Sequence, residues 1–218
     1  MKNSPSIKTL MLATALALGL GAQVRADDSL SAQPAADAPA AGDLSLLGQT
    51  YGTLTYSYIN LDGTSTHGDS YTFEVNQPLT FGLDGVFAYD FTQSGVIAGS
   101  RVKQHTLSAA LRAFSASYNW GKPYVEAGVG YAWARYAGNR DDSFVWEVAA
   151  GAEFRLSPRA TVTPYVQYVD APDLAGSGVW NFGVRGSYWI DSSWAVTAGF
   201  EVDDDQNNAF TVGTNFRF

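Results

Sequence analysis

The sequence predicts an all-β, transmembrane, antiparallel up-and-down barrel, and three observations lead to this. The chain ends in a strand-like stretch, 209–218, whose apolar residues alternate with small and polar ones up to Phe218. The same alternation recurs from residue 51 onward, as expected for strands with one face toward lipid. Tight turns and longer polar loops alternate between these stretches. The prediction is ten strands, with eight as the alternative.

The first 26 residues have the pattern of a cleaved signal peptide. Lys2 and Lys8 precede an apolar run, 9–22, that is too short to span a bilayer as a helix, and 24–26 form a small-x-small cleavage site. Without its three basic residues the net charge falls from −8 to −11, which argues against a nucleic-acid partner. The chain has no cysteine, so disulfides and cysteine-bound metals are not expected.

The next segment, 27–48, is rich in Ala, Pro and Asp and lacks periodicity. It is interpreted as a disordered periplasmic tail before a barrel domain that covers 49–218. The alternative is that Leu44, Leu46 and Leu47 help to close the barrel mouth.

Ten strands are predicted from the alternation. Their ranges are 51–60, 70–79, 83–93, 104–118, 123–136, 144–156, 161–169, 178–189, 193–202 and 208–218. Tight turns are predicted at 80–82, 119–122, 157–160 and 190–192. Longer loops are predicted at 61–69, 94–103, 137–143, 170–177 and 203–207. An even strand number with this alternation of connections places both termini at the periplasmic end.

The two faces of each strand decide which way the barrel is turned. In 123–136, for example, Val125 and Val129 lie on one face, whereas Glu126 and Gly128 lie on the other. Nearly every charge on the strands shares a face with small residues, and the opposite face is large and aromatic. A soluble barrel would need a charged outer face, so the sequence predicts that the apolar face meets lipid. Strand 104–118 departs from the pattern at Phe114 and Tyr118, which predicts a bulge near residue 113.

The tryptophans fall near predicted strand ends, as expected for aromatic girdles at the two membrane interfaces. The predicted girdle residues are Trp133, Trp146 and Trp180 at the outer ends and Trp120, Trp189 and Trp194 at the periplasmic turns. Trp189 has the parity of the lumen, so its place at a turn or beyond a bulge stays open.

Strand parity also predicts the charges inside the barrel. They are Glu74, Asp90, Arg112, Glu126, Glu147, Glu153, Arg155, Arg185, Glu201 and Arg217. The first interpretation is a set of ion pairs that satisfy one another and plug a narrow barrel. The alternative is a narrow, weakly cation-preferring pore, because many interior positions are glycine.

Three stretches resemble a known family. Residues 122–133 (KPYVEAGVGYAW), 149–170 (AAGAEFRLSPRATVTPYVQYVD) and 215–218 (NFRF) are similar to the outer-membrane β-barrel domain family, related to OmpA/OmpX-type small, porin-like barrels. The resemblance implies that the barrel-assembly machinery reads the terminal aromatic, here Phe218. The chain departs from the family's smallest members, because five hairpins are counted here where those members have four. Because the chain stops at the barrel, a cell-wall tether is not expected.

Enzyme activity is not expected, and no catalytic, cofactor-binding or metal-binding residue is assigned. Ten strands suggest an omptin-like outer-membrane protease as a remote alternative, but His67 and His105 match no catalytic motif. Asp203, Asp204 and Asp205 are interpreted as a solvated hairpin tip. The alternative is that they hold a divalent cation among lipopolysaccharide phosphates.

The predicted protein is therefore a small integral barrel of the outer membrane of a Gram-negative-type bacterium. Its expected role is structural, in envelope integrity or surface contact, with a narrow diffusion channel as the alternative. Outer-membrane lipid, lipopolysaccharide and the barrel-assembly machinery are the expected partners.

Overall fold

The computed structural model describes residues 45–63, 66–96, 99–118, 121–174 and 178–218. Ten strands follow one another along these ranges, and no helix within them is long and apolar enough to cross a membrane. The strands are β1 Tyr51–Asn60, β2 His67–Thr80, β3 Leu83–Ser94, β4 Lys103–Phe114, β5 Lys122–Tyr136, β6 Asn139–Ser157, β7 Ala160–Asp170, β8 Val179–Trp189, β9 Trp194–Asp203 and β10 Asn208–Arg217. The predicted signal peptide, 1–26, lies outside the described residues.

The strands form one closed antiparallel barrel. Each pairs with its neighbours in the chain, and β1 closes the sheet on β10 in a register that runs from Tyr51 opposite Arg217 to Asn60 opposite Asn208. Closure leaves no strand edge unpaired. An unpaired edge would expose backbone N–H and C=O groups to the hydrocarbon of a bilayer, at a high cost in free energy. The predicted all-β fold with ten strands is confirmed, and the alternative of eight is wrong. The shortest strands have 10 residues, and a tilted strand needs about 9–11 to cross a bilayer.

The exterior of the barrel is apolar and the interior is polar. On β2, Tyr71 and Phe73 are exposed on the outer face, whereas Thr72 and Glu74 are buried on the inner face. The other strands repeat this pattern because successive Cβ atoms point to opposite sides of a sheet. The surface is thus turned as the sequence predicts, with its large apolar side chains outward, which is the architecture of an outer-membrane β-barrel.

One predicted loop and one predicted strand end are wrong. β5 and β6 pair as far as Tyr136 opposite Asn139, so Ala137 and Gly138 alone form a turn where a loop is predicted at 137–143. Both turn residues have positive φ, 49° and 87°, as tight hairpin turns require. Conversely, β4 ends at Phe114, and the predicted bulge near residue 113 is absent from its regular pairing with β5. Phe114 points inward because it packs in an apolar cluster there.

The two ends of the barrel differ. The start of β1 and the end of β10 meet at one end, called here the terminal end; the opposite end is called the loop end. At the terminal end the chain before β1 enters the barrel, where Leu46 and Leu47 are fully buried. The alternative interpretation of this segment therefore describes Leu46 and Leu47 correctly, and Leu44 lies outside the described residues. The packed interior of the barrel therefore includes residues of the segment 27–48, which the sequence assigned to the tail.

Candidate functional site

A network of buried polar side chains occupies the middle of the barrel. The Arg112 Nε atom donates to Glu126 Oε2 at 2.5 Å, and Arg112 Nη1 donates to the Tyr51 hydroxyl at 3.3 Å. The Tyr51 hydroxyl in turn donates to Glu74 Oε1 at 2.9 Å. All four side chains are buried. A buried charge needs such partners, because desolvation of an unpaired ion costs several kcal/mol.

Three other interior acids accept hydrogen bonds from neutral donors. The Thr72 hydroxyl donates to Asp90 at 2.5 Å, and the Gln167 amide donates to Glu147 at 2.8 Å. The Tyr165 hydroxyl donates to Glu201 at 2.6 Å. The sequence predicts that arginines would pair with most of these acids. The hydrogen-bond donors to these three carboxylates are a hydroxyl, an amide and a phenol.

Further contacts connect Arg185 to this network. Its guanidinium carbon lies 5.6 Å from the centre of the Tyr165 ring, and that of Arg112 lies 5.6 Å from the centre of the Tyr124 ring. Cation–π contacts of this length stabilise a guanidinium where water is scarce. Aromatic rings therefore share the interior with the charges.

The terminal end of the lumen is filled by an apolar cluster, called here the terminal plug. Its buried members are Leu46, Leu47, Tyr51, Tyr124, Trp189 and Ala195, with Phe114 and Tyr165 packed against them. The Arg217 guanidinium carbon lies 4.1 Å from the centre of the Trp189 ring. The Gly48 amide donates to Asp84 at 2.9 Å, which ties the entering segment to β3.

The loop end of the lumen is filled by a second apolar cluster, called here the loop-end lid. Its buried members are Ile59, Leu61, Val102, Ala132, Ala134, Val145, Val169, Ala171, Leu174, Val179 and Ala209, and Tyr136 packs against them. Both strand residues and connection residues contribute, so the connections fold over the lumen. The polar network thus lies between two apolar layers.

The predicted lumen charges do not all lie in this network. Glu74, Asp90, Arg112, Glu126, Glu147, Glu153, Arg185 and Glu201 are buried. Arg155 lies opposite the buried Thr161 and has inner parity as predicted, but it is exposed near the end of β6, apart from the buried network, where its Nε donates to the Ser157 carbonyl at 3.3 Å. Arg217 is only half-buried and donates to the Ser192 carbonyl at 3.0 Å. Asp84 was missed although it is buried and shares the parity of Asp90 on β3.

Aromatic side chains follow the exterior near both ends. Trp146, Tyr168 and Trp180 contact one another in a row, with ring centroids 5.2 and 5.1 Å apart. Trp133 stacks on His105 at 5.5 Å at the same end, and Trp194 contacts Phe216 at 4.5 Å at the terminal end. Trp120 lies outside the described residues.

Trp189 does not belong to a girdle. It is fully buried in the terminal plug, and the interpretation of it as an interfacial residue is wrong. The reason is its parity, which places it inside the barrel together with Arg185 and Ser187 on β8. Phe218, the predicted assembly signal, is 76% exposed beyond β10 and packs edge-on against Phe216.

The residues considered for other chemistry lie apart from the network. His67 stacks on Tyr58 at 5.0 Å, and the His105 ring nitrogen Nδ1 lies 2.8 Å from the Tyr89 hydroxyl, both on the exterior. Asp203 accepts the backbone amide and side-chain amide of Asn207 at 2.7 and 2.6 Å, so it closes the turn between β9 and β10. Within the described ranges no three acidic or histidine side chains come together in a way that could hold a metal ion.

Comparison with known proteins gives similarity in fold. No family model matches the chain, and no curated protein matches it in sequence. Among solved structures, the translocator domain of the autotransporter NalP from Neisseria meningitidis has a TM-score of 0.49 and 10% identity, and covers 78% of this chain and 88% of its own. Neisserial surface protein A has a TM-score of 0.47 and 11% identity, with 78% and 97% covered. Ail, the attachment invasion locus protein of Yersinia pestis, has a TM-score of 0.40 and 12% identity, again with 78% and 97% covered.

Proposed function

We propose that this chain is a closed, non-conducting barrel of the outer membrane whose role is structural, in envelope integrity or surface contact. The observation that carries the proposal is the sequence of layers inside the barrel. The terminal plug and the loop-end lid leave Trp189 and Val102 fully buried, and Glu74, Arg112 and Glu201 between them are fully buried as well. A water-filled path would leave these side chains in contact with water, so their burial supports a filled lumen.

We further propose that the loop end faces the outside and that both termini are periplasmic. The hairpin of β5 and β6 supports this orientation. β6 has 19 residues, about twice what a crossing requires, and β7 ends opposite its Trp146. Residues 139–145 of β6 therefore extend past the end of β7. Periplasmic turns are usually short in such barrels, whereas extended hairpins lie outside.

Conductance across a planar bilayer tests the closed lumen. The full chain, refolded and inserted, is expected to give no discrete current steps. A variant with Trp189→Ala and Val102→Gly removes one large side chain from each apolar layer and serves as the control that the assay detects an opened lumen. Reproducible steps from the unaltered protein, with a cation preference that falls in Glu126→Gln, would overturn the proposal.

Labelling on intact cells tests the orientation. Because the chain has no cysteine, Asp205→Cys at the loop end and Ser192→Cys at the terminal end each introduce a single thiol on an exposed residue. A membrane-impermeant maleimide is expected to label the first variant and to spare the second until the cells are lysed. The reverse pattern would contradict the orientation.

A narrow cation-preferring channel is the second candidate, and the excess of acid inside the barrel favours it. Eight acidic side chains are buried on the inner faces of the strands, namely Glu74, Asp84, Asp90, Glu126, Glu147, Glu153, Glu201 and Asp203, against the arginines Arg112 and Arg185. One carboxylate oxygen of each of Glu74, Asp90 and Glu201 has no hydrogen-bond partner in the described part of the chain. Such atoms attract water or cations once a path opens.

A further inference from the structure

Four basic side chains line one shallow cavity of about 420 Å³ at the loop end of the barrel. They are Arg101, Lys103, Arg135 and Arg140. We propose that this cavity, called here the basic rim site, binds the phosphate groups of a phosphorylated glycolipid headgroup in the outer leaflet. The choice of leaflet rests on the proposed orientation, whereas the chemistry of the site does not.

The pairing of three strands concentrates the positive charge. Lys103 on β4 lies directly opposite Arg135 on β5, and Arg135 lies directly opposite Arg140 on β6. Directly opposite residues have Cβ atoms about 5 Å apart, and like charges in such pairs destabilise a sheet. Charge repulsion of this kind is relieved when an anion binds between the cations.

The cations lack counter-charges of their own. None of the four side chains has a hydrogen bond or an ion pair with another residue in the ranges that the structure describes. The acid nearest in register on the same face is Asp142, opposite Trp133, and its carboxylate accepts the Tyr131 hydroxyl. Asp141 has the opposite strand parity. An anionic ligand would therefore supply the negative charge that these four cations do not receive from the protein.

The position of the site on the barrel selects a lipid as the ligand. Lys103, Arg135 and Arg140 all have exterior parity, and Arg135 follows Trp133 by one step on the same face of β5. Two residues along a strand span about 6.6 Å. The cations thus lie just beyond the Trp133–His105 stack, on the side of the barrel that faces the membrane. Aromatic rings of this kind prefer the headgroup level, so the cations meet headgroup phosphates.

The size and lining of the cavity suit a phosphorylated sugar rather than a single ion. Small-molecule sites commonly measure about 300–1,000 Å³. Tyr136 and Asn139 also line the cavity, and the Asn139 amide offers both a donor and an acceptor for sugar hydroxyls. The site gathers four of the ten Lys and Arg residues outside the predicted signal peptide, in a chain whose net charge is negative. Because this site is positively charged and the chain as a whole is negative, a phosphate-bearing headgroup is attracted to this part of the surface.

Native mass spectrometry of the full chain in detergent micelles tests the proposal. The refolded protein is titrated with bisphosphorylated lipid A and, in parallel, with the same lipid after enzymatic removal of its phosphates. The double variant Arg135→Gln/Arg140→Gln is compared with the matched control Lys122→Gln/Arg159→Gln, whose cations lie at the terminal end. Arg135 and Arg140 are exposed, whereas Lys122 and Arg159 are half-buried, and a heat-modifiable gel shift verifies that all variants fold.

The unaltered protein and the matched control are expected to retain bisphosphorylated lipid A, and the rim variant to lose about tenfold or more in affinity, since each charge-assisted hydrogen bond is worth about 1.5–3 kcal/mol. Equal binding of the dephosphorylated lipid, or unchanged binding by the rim variant, would overturn the proposal. Displacement of the lipid by millimolar inorganic phosphate would overturn the lipid source in favour of a free phosphate. Micelles have no sidedness, so a failure here is distinct from a failure of the cell-labelling or conductance experiments.

Discussion

Replacement of Arg112 by methionine is the most direct test of how the interior is held together. Arg112 is fully buried, and its guanidinium donates both to Glu126 and to the Tyr51 hydroxyl. Methionine fills most of the same space but leaves the Glu126 carboxylate buried without its cation. The variant therefore isolates the electrostatic part of the interaction.

The expected magnitude follows from these contacts. Breaking a buried pair by removing one partner costs about 3–5 kcal/mol, because the remaining charge stays desolvated. The single variants Arg112→Met and Glu126→Leu should each lose about this much free energy of unfolding. The double variant has no orphaned charge from this pair. It also loses the hydrogen bond to Tyr51, which is worth about 0.5–1.5 kcal/mol, and the cation–π contact with the Tyr124 ring, which is worth about 0.5–2 kcal/mol. The coupling energy between the two positions is therefore expected to exceed about 2 kcal/mol.

Urea unfolding of the barrel refolded into lipid vesicles, followed by tryptophan fluorescence, measures these free energies. Arg159→Met is the matched control: it removes a half-buried arginine from the turn between β6 and β7, outside the polar network, and should change the free energy of unfolding by less than about 0.5 kcal/mol. If the losses in the single variants simply add in the double variant, Arg112 and Glu126 do not act as a pair. The account of the polar network would then be wrong.

Three further predictions concern packing and assembly. Trp189→Ala should lower the free energy of unfolding by about 3–5 kcal/mol, because the indole is fully buried in the terminal plug, and a loss below 1 kcal/mol in the same urea assay would contradict that packing. Gly183→Ala should cost about 1–3 kcal/mol, since its new methyl group would overlap the Tyr165 ring; Gly186→Ala, whose nearest neighbour is 3.8 Å away, is the control and should unfold like the unaltered protein. Deletion of Phe218 should reduce the amount of barrel in the outer-membrane fraction while the purified protein keeps its stability, because the ring is exposed; equal loss of both would point to a packing role instead.

Residue alternation was enough to predict the strands and their faces. The faces that carry Glu74 on β2 and Glu126 on β5 were assigned inward by sequence alone, and the structure buries both side chains there. This succeeds because the alternation of side chains along a strand is a local property of the backbone. The same rule placed Trp189 on the inner face, yet a preference of tryptophan for interfaces was given more weight.

Loops and turns were less accessible to the sequence. The polar stretch 139–143 reads as a loop, but in the structure it continues β6 opposite β5. Asp84 likewise has inner parity. Its hydrogen-bond partner, however, is the Gly48 amide of the segment that enters the barrel, and only the structure reveals that contact. Polarity is typical of loops and of projecting hairpins alike, so it does not separate the two.

The sequence by itself determined that this chain is an inverted barrel of alternating strands with a charged interior. Only the tertiary structure decided which groups meet: Arg112 with Glu126 and Tyr51 inside, and Lys103 with Arg135 and Arg140 at the rim. The physical reason is that parity is fixed residue by residue along one strand. Partners, in contrast, depend on the register of each strand against the next, and closure of the whole sheet sets that register.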